Sequence, residues 1–190
     1  MIEIIDNFLE QDEFHKLESI FFSYHENRPH LEKYQIDEDD GACGFPWYYR
    51  NSTSYSPVED VNSVNNYQFI HIFYGDHTIY SEYFDNLSDL MNKIGFRSLL
   101  RCKANLQMRS EVHYERKLHR DRPNGCDPDN DPYRIGIYYL NTNNGYTLMK
   151  DGTKIESVAN RLAIFSPKLW HASATCTDEK RRIILNMNWY

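Results

Sequence analysis

The chain has 190 residues, of which 41% are hydrophobic and 15% are aromatic, and it carries a formal net charge of −7. Such a composition can bury an apolar core, which excludes a disordered chain, and the length suits one domain better than two. The acidic charge argues against a general affinity for duplex nucleic acid, which normally requires a basic face. Four residues could still supply a local basic groove: Arg97, Arg101, Lys103 and Arg109.

The cysteines and the N-terminus indicate a protein of a reducing compartment. The four cysteines (Cys43, Cys102, Cys126 and Cys176) include no C-x-x-C pair, so neither a zinc knuckle nor a disulfide framework is predicted. Residues 1–6 contain acidic side chains where a signal peptide has basic ones, and no apolar run approaches the ~20 residues that span a bilayer. We therefore expect a soluble, cytoplasmic protein without a membrane partner.

The first third of the chain combines a strand, a helix and an irregular stretch. Residues 2–5 are predicted to form a strand, and apolar residues at helical spacing predict an amphipathic helix over about 10–23. Residues 25–65 show no steady period. They contain the acidic run 37–40, which is typical of a solvated loop, and the aromatic cluster 44–49. Because long loops with aromatic residues in compact domains are usually functional, 25–65 is predicted to close over the site as a lid.

The remaining chain is predicted to be mainly antiparallel strands. Residues 68–74 form a strand candidate, and 80–94 a second helix that ends at Gly95. Strand candidates then follow at 98–108, 134–140, 146–149, 153–155, 161–165 and 182–189. Asn143-Asn144-Gly145 and Asp151-Gly152 are predicted hairpin turns. The fold class is α+β, with helices first and then a β-sandwich or barrel.

Two histidines and one aspartate are the candidate metal ligands. His119 and Asp121 lie two residues apart, so on a strand their side chains point to one face. Pro123-Asn124-Gly125 follows at once, where the strand should open into a loop. His171 comes after a turn that begins at Ser166, and this turn should bring a later strand back beside the first. Two histidines and one carboxylate form the ligand set of non-haem Fe(II) oxygenases.

Other histidines offer weaker alternatives. His113 and Glu115 form a second His-x-acid pair, and glutamate can replace aspartate as a ligand. The later pair is favoured because it directly precedes the turn. A lone histidine is more often structural than a ligand, and His71 and His77 have no carboxylate at comparable spacing. We expect these two to be structural.

The last strand carries a candidate anion-binding arginine. Arginine offers a planar fork that grips a carboxylate through two hydrogen bonds. Arg181 and Arg182 point to opposite faces of a strand, so only one of them can face the interior. With Arg182 inward, its face also carries Asn186 and Asn188, and the other face carries Ile183, Leu185 and Met187.

Several stretches together resemble the iron- and 2-oxoglutarate-dependent prolyl hydroxylases. These stretches are His119-Arg120-Asp121-Arg122-Pro123-Asn124-Gly125, then Ile137-Tyr138-Tyr139-Leu140-Asn141, then Asn160-Arg161-Leu162-Ala163-Ile164-Phe165 and His171. The resemblance covers roughly residues 97–190, and the earlier part is similar to small phage-type members of the Fe(II)/2-oxoglutarate dioxygenase superfamily. These hydroxylases place a tyrosine upstream of H-x-D, whereas this chain has Asn105 or Arg109 in that region.

The resemblance implies a fold and a ligand set. The fold would be a double-stranded β-helix, or jelly roll, with N-terminal helices packed against it. The whole of 1–190 would be one oxygenase domain, with a helical and loop part over 1–95 and the catalytic core over 96–190. His119, Asp121 and His171 would bind Fe(II). Arg182, with Arg181 as the alternative, and Tyr139 would hold the distal carboxylate of 2-oxoglutarate, and Ile137 would line the pocket while Tyr138 lies in the core.

The resemblance also implies an activity. The protein would hydroxylate an unactivated C–H bond with Fe(II), 2-oxoglutarate and O2, and with ascorbate as a possible reductant, releasing succinate and CO2. Asp121 favours hydroxylation over halogenation, because related halogenases lack this carboxylate. The favoured substrate is a prolyl residue of a protein or peptide. The alternatives are oxidation of a nucleic-acid base by the same chemistry, which a basic face beside the iron would support, and a non-catalytic metal-binding jelly-roll module.

Overall fold

The computed structural model describes residues 1–22, 45–52 and 66–190. Within them the chain forms strands, two α-helices and a short 3-10 turn. The strands are β1 (Ile2–Ile5), β2 (Tyr48–Arg50), β3 (Gln68–Gly75), β4 (Thr78–Ile79), β5 (Leu99–Met108), β6 (Arg134–Tyr139), β7 (Asn143–Met149), β8 (Lys154–Ser157), β9 (Arg161–Phe165), β10 (His171–Ser173) and β11 (Arg181–Trp189). The helices are α1 (Gln11–Phe22) and α2 (Ser88–Ile94), and the 3-10 turn is Phe84–Leu87.

The strands form two antiparallel sheets. The large sheet has the order β1-β9-β6-β11-β5-β3-β2, with β4 paired to β3, and the small sheet has the order β10-β7-β8. Residues from β5, β6 and β11 of the large sheet line the same cavity as residues from β7 and β10 of the small sheet. Two antiparallel sheets that enclose a common interior are the predicted jelly roll, and this prediction is confirmed.

The large sheet separates two hydrophobic clusters because side chains alternate along each strand. On β11, Ile183, Leu185 and Met187 pack with α1 in one cluster, whereas Ile184 belongs to a second cluster between the sheets. The first cluster thus fastens the N-terminal helix to the outside of the barrel. The second surrounds the interior, where the polar face of β11 also points.

The helices agree with the sequence pattern to different degrees. In α1, apolar residues three and four apart (Phe14, Leu17 and Phe21) are buried, and the helix lies within the predicted range. The second helix is shorter than predicted, since 80–94 begins with irregular chain and a 3-10 turn. It ends as predicted at Gly95, which has φ +66 and donates its backbone N–H to the Met91 carbonyl.

One predicted turn is wrong. Asn143-Asn144-Gly145 does not form a hairpin turn but lies at the start of β7, where the pairing with β8 is irregular between Asn143 and Tyr146. Gly145 is needed there for close packing. A Cβ at this position would stand 2.7 Å from Cδ of Arg182. The predicted turn at Asp151-Gly152 is confirmed, because β7 and β8 pair across it and Gly152 has φ +90.

The N-terminal part supplies strands as well as helices. β1 pairs with β9, and β3 pairs with β5, so the helical and loop description of residues 1–95 is incomplete. Asn160 fastens this part through its side chain, which accepts from Leu9 N–H at 2.8 Å and donates to the Leu9 carbonyl at 2.8 Å. The same side-chain oxygen accepts from the Tyr138 hydroxyl at 2.7 Å, in the core position predicted for Tyr138.

Most of the predicted lid lies outside the described residues. This holds for 25–44 and 53–65, which include the acidic run. Within the described piece, Phe45 is buried and its ring lies 4.7 Å from that of Phe21, so this part of the aromatic cluster packs into the core. No helix in the described ranges is long and apolar enough to cross a membrane.

Candidate metal centre

A short backbone bridge brings the two candidate histidines together. His119 N–H donates to the His171 carbonyl at 2.8 Å, and His171 N–H donates to the His119 carbonyl at 2.9 Å. The sequence predicted a strand around His119, but the structure has an isolated bridge followed by irregular chain. The bridge has the expected effect of placing a later strand beside the H-x-D segment, and the two imidazole centroids are 4.6 Å apart.

The aspartate completes a compact group with both histidines. Nε2 of His119 lies 3.9 Å from Oδ1 of Asp121, and Nε2 of His171 lies 4.0 Å from Oδ2. One ligand atom from each of the three residues lies within 4.8 Å of the others. In the described part of the chain, this is the only such group that could hold a metal ion.

The alternative histidines make other contacts. Nδ1 of His71 contacts the Pro46 carbonyl at 2.8 Å, and its Nε2 contacts the Ser81 hydroxyl at 2.7 Å. His113 contacts the Thr175 carbonyl, and the paired Glu115 accepts from the Tyr146 hydroxyl. The second His-x-acid pair is thus used in structural hydrogen bonds.

The local contacts prepare both imidazoles to act as ligands. Nδ1 of His119 lies 3.2 Å from the Lys117 carbonyl, and Nδ1 of His171 lies 3.3 Å from the Leu169 carbonyl. With the proton on Nδ1 as the donor, each Nε2 keeps its lone pair and faces Asp121. Burial, together with the nearby His171, lowers the pKa of His119 to about 4. His119 is therefore neutral at physiological pH, as a metal ligand must be.

Two polar side chains hold the aspartate from its other side. Nη2 of Arg101 lies 3.2 Å from Oδ1 of Asp121, and Nδ2 of Asn186 donates to Oδ2 at 2.7 Å. The Tyr133 hydroxyl donates to the Asp121 backbone carbonyl at 2.6 Å. Burial alone would raise the pKa of Asp121, but the charge of Arg101 holds it well below its usual range. The carboxylate is therefore ionised and fixed in orientation.

These residues fit a divalent transition metal. Two imidazole nitrogens with free lone pairs and one ionised carboxylate face a common point, and none of the three supplies a proton donor toward it. Lone pairs and a negative charge that face one point repel each other, and a cation at that point makes the arrangement favourable. Nitrogen and oxygen donors in a two-histidine, one-carboxylate set suit Fe(II), with coordination positions left for other ligands.

A buried arginine lies deeper in the same interior. Arg182 is 1% exposed, and its guanidinium donates to the Ser157 hydroxyl at 2.7 Å, the Thr147 hydroxyl at 3.1 Å and the Gln107 side-chain carbonyl at 3.3 Å. All three partners are neutral, and no carboxylate of the described residues lies within ion-pair distance. Burial lowers the pKa of Arg182, yet a guanidinium stays protonated in proteins. The interior thus holds a desolvated positive charge.

One cavity connects the arginine with the metal ligands. Its lining includes His119, Asp121 and His171 as well as Arg182, Ile137 and Thr147. On β11, Arg182 lies four residues before Asn186, which holds Asp121, so the arginine and the metal ligands lie at different ends of the cavity. The Tyr139 hydroxyl donates to the Thr147 hydroxyl at 2.8 Å, beside the guanidinium. Arg181 instead lies on the opposite face of β11, where its guanidinium stands 4.8 Å from the centre of the Phe22 ring.

Strand β5 contributes a polar row that sequence reasoning only partly identified. Arg101, Lys103 and Asn105 lie on its inner face, and Cys102 and Ala104 point to the core. Burial and the charge of Arg101 lower the pKa of Lys103 to about 7. Both basic residues were candidates for a groove, but neither was expected beside the metal ligands. The alternation of polar and apolar residues along 101–105 was the sequence feature that could have placed Arg101, Lys103 and Asn105 on one face of a strand.

An open cleft of about 820 Å³ lies in front of the metal ligands. It is lined by Arg50, Arg101, Lys103, Lys117, Leu118, His119, Arg120, Asp121, Arg122, Pro123, Asn124, Gly125, Asp127, Pro128, Asp129 and Trp170. Of the other two residues suggested for a basic groove, Arg109 lines a different cavity, and Arg97 is not part of this lining. The cleft gives the metal centre access to a large ligand.

Comparison with known proteins gives structural matches only. No protein-family model and no curated protein sequence matches the chain. An oxidoreductase of the 2OG-Fe(II) oxygenase family from Burkholderia pseudomallei superposes with a TM-score of 0.63 at 10% identity, over 99% of this chain and 84% of that one. A prolyl-4-hydroxylase from Pseudomonas putida gives a TM-score of 0.55 at 15% identity, over 99% of this chain and 91% of that one.

A third match is a Trichoplax adhaerens prolyl hydroxylase in complex with a peptide fragment of the hypoxia inducible factor oxygen degradation domain. Its TM-score is 0.57 at 16% identity, over 99% of this chain and 83% of that one. At such low identities the likeness establishes the fold. The resemblance to prolyl hydroxylase-like 2-oxoglutarate oxygenases is confirmed at that level, along nearly the whole chain.

Proposed function

We propose that the protein is an Fe(II)- and 2-oxoglutarate-dependent dioxygenase. One observation carries the proposal. The cavity that holds the His119, Asp121 and His171 ligand set also contains Arg182, a buried cation whose partners are all neutral. A buried, unpaired charge is costly, so the site is completed by an anion. An anion that reaches from the metal to Arg182 matches a dicarboxylate such as 2-oxoglutarate.

The metal ligands have distinct tasks in this account. His119 and His171 present their Nε2 atoms, and Asp121 presents an ionised carboxylate held by Arg101 and Asn186. When bound, iron, 2-oxoglutarate and O2 supply the oxidation of an unactivated C–H bond, with release of succinate and CO2. The protein fixes the three donors before the metal arrives, which lowers the entropic cost of binding it.

The opposite end of the cavity forms the anion clamp. Arg182 offers its fork to the distal carboxylate, and the hydroxyls of Tyr139 and Thr147 form a polar wall beside it. Burial raises the pKa of Tyr139, so its hydroxyl keeps its proton and can donate. Ile137 supplies an apolar side to the same cavity. The clamp sets the orientation of the cosubstrate toward the metal.

The favoured substrate is a prolyl residue in a protein or peptide. The fold shared with two prolyl hydroxylases, one of them solved with a peptide, supports this choice. The open cleft in front of the metal ligands offers room for a peptide segment. Ascorbate would serve as an accessory reductant. A metal-binding module without catalysis is disfavoured, because it would have no use for a buried cation in the metal cavity.

Formation of succinate tests this function directly. The protein is incubated with Fe(II), 2-oxoglutarate, O2 and proline-containing peptides, and succinate and peptide mass are followed. We expect Fe(II)-dependent succinate and a peptide heavier by one oxygen atom. Asp121→Ala should abolish both products, and Arg182→Met should strongly reduce them, whereas Arg181→Met should act as the wild type does. Succinate formation that persisted in Asp121→Ala, or its absence from the iron-loaded wild type, would contradict the proposal.

A further inference from the structure

We propose that the open cleft binds an acidic peptide, so that the residue to be oxidised is flanked by aspartate or glutamate side chains. This inference rests on the proposed function and names its substrate class more closely. The observation that supports it is a concentration of positive charge around the metal ligands. Among the described residues, six basic side chains and three carboxylates line the cleft, although the chain as a whole has a net charge of −7.

The basic side chains of the cleft fall into two groups. Two are occupied by acids of the protein itself: Arg101 lies 3.2 Å from Asp121, and Arg120 lies 2.5 Å from Asp129. The other four are Arg50, Lys103, Lys117 and Arg122. None of these four has a carboxylate within 4.0 Å in the described part of the chain. Arg50, Lys117 and Arg122 are therefore cations that a ligand can pair with, whereas Lys103, whose pKa is lowered to about 7, is only partly charged at neutral pH.

The free cations come from separate segments of the chain. Arg50 lies at the end of the edge strand β2 and is close enough for its charge to influence Lys103. Lys117 and Arg122 flank the H-x-D segment in the chain, and both are exposed. The Arg122 side chain makes one hydrogen bond, from Nε to the Cys126 carbonyl at 3.2 Å, which leaves the rest of its fork available. A peptide with more than one acidic residue can pair with cations from separate segments.

The rim of the cleft also has apolar surface suited to a peptide. Trp170 is 41% exposed, and the Arg120 guanidinium lies 5.2 Å from its ring centre, where the Asp129 pair holds it in place. A fixed aromatic plane beside free cations can contact the apolar part of a proline-containing segment. Charged side chains at the rim then provide selectivity and rapid association.

A basic face beside the metal ligands was the feature expected for a nucleic-acid substrate, but the acidic residues of the cleft and the net charge favour a peptide. Binding to a phosphate backbone grows with the number of phosphates that cations neutralise. Here the free cations Arg50, Lys117 and Arg122 line one bounded cleft together with Asp127 and Asp129. A continuous phosphate backbone would meet those carboxylates as well as the overall negative charge of the protein. Separate carboxylates on a peptide can be placed opposite the cations alone.

Binding measurements on charge-matched peptides test this inference. Three labelled short peptides share a central proline and differ in flanks of glutamate, glutamine or lysine. They are titrated by fluorescence anisotropy with the anaerobic, Fe(II)- and 2-oxoglutarate-loaded protein, alongside a labelled single-stranded oligothymidylate. The variant is the double substitution Arg50→Glu and Arg122→Glu. The control is Lys16→Glu with Lys180→Glu, which makes the same charge change at two exposed lysines outside the cleft.

We expect the glutamate-flanked peptide to bind about tenfold more tightly than the glutamine-flanked one, since several partly exposed ion pairs contribute together. The preference should shrink as salt increases, disappear in the Arg50/Arg122 variant and persist in the control. Equal binding of all three peptides would overturn the inference, as would a preference retained in the cleft variant. Tighter binding of the oligothymidylate than of any peptide would overturn it in favour of a nucleic-acid substrate.

Failure of the inference can be separated from failure of the proposed function. Uncoupled formation of succinate from 2-oxoglutarate depends on the metal ligands and Arg182, not on the rim of the cleft. A wild type that forms succinate but shows no peptide preference would refute only the acidic substrate. A wild type that forms no succinate and binds no 2-oxoglutarate would refute the function on which the inference rests.

Discussion

Replacing Arg182 with methionine should remove the binding of 2-oxoglutarate while leaving the fold intact. The Arg182 side chain is 1% exposed, so the free energy of its ion pair with the ligand carboxylate is that of a buried pair and not of a surface pair. Losing one partner of a buried pair costs about 3–5 kcal/mol, which corresponds to a loss of affinity of a hundredfold or more.

The effect on the ligand-free protein should be small because two contributions oppose each other. The substitution leaves the Ser157 hydroxyl, the Thr147 hydroxyl and the Gln107 carbonyl without the guanidinium, at about 1 kcal/mol for each hydrogen bond. It also removes the cost of burying an unpaired charge, which amounts to several kcal/mol. Methionine is long and flexible enough to fill much of the space.

Thermal unfolding with and without 2-oxoglutarate measures both effects. At a concentration about a hundredfold above its Kd, the ligand stabilises the wild type by about 2.7 kcal/mol. For a chain of this length that is a rise in Tm of about 5–10 °C. The anaerobic protein is loaded with a divalent metal for both measurements, and Arg181→Met is the matched control. We expect the control to keep the rise and Arg182→Met to lose it. A rise of wild-type size in Arg182→Met would refute the anion clamp.

Three further substitutions test the supporting contacts. Arg101→Met should weaken metal binding by about 10–100-fold by releasing Asp121, as measured by metal titration, and unchanged affinity would show that the 3.2 Å contact does not orient the ligand. Gly136→Ala should lower the free energy of unfolding by about 1–3 kcal/mol in urea, because its Cβ would stand 2.5 Å from the Trp189 ring; a neutral result would contradict that packing. Asn160→Ala should lower the free energy of unfolding by about 2–4 kcal/mol, because three buried hydrogen bonds are lost and alanine is less favourable than asparagine at φ +62. It should also increase proteolysis at the N-terminal segment.

Periodic patterns predicted the regular elements, and close packing explains where they failed. Helix α1 and strands β9 and β11 follow from the spacing of apolar residues, which the barrel buries as expected. The Asn-Asn-Gly sequence at 143–145 has the composition of a turn, but Gly145 serves another need. Its missing side chain admits Arg182. Because Gly145 and Arg182 are distant in the chain, their contact could not be predicted from the sequence around either residue.

The metal ligands were easier to predict than the residues that orient them. His119 and Asp121 lie in one short motif, and a turn returns His171 to it, so the group could be proposed from one chain segment and a later strand. Arg101 reaches Asp121 from a different strand, and its role depends on which face of β5 turns inward. Its spacing to Lys103 and Asn105 indicated a polar face, but only the sheet order shows that this face meets the ligands.

The central claim is that one cavity binds Fe(II) and 2-oxoglutarate together, and an anaerobic optical titration tests it most directly. Fe(II) and then 2-oxoglutarate are added to the metal-free protein, and the weak visible charge-transfer band of an iron-chelated keto acid is followed. We predict a saturable band in the wild type that is absent in Asp121→Ala and strongly weakened in Arg182→Ala. No band in the wild type, or an unchanged band in both variants, would contradict the account.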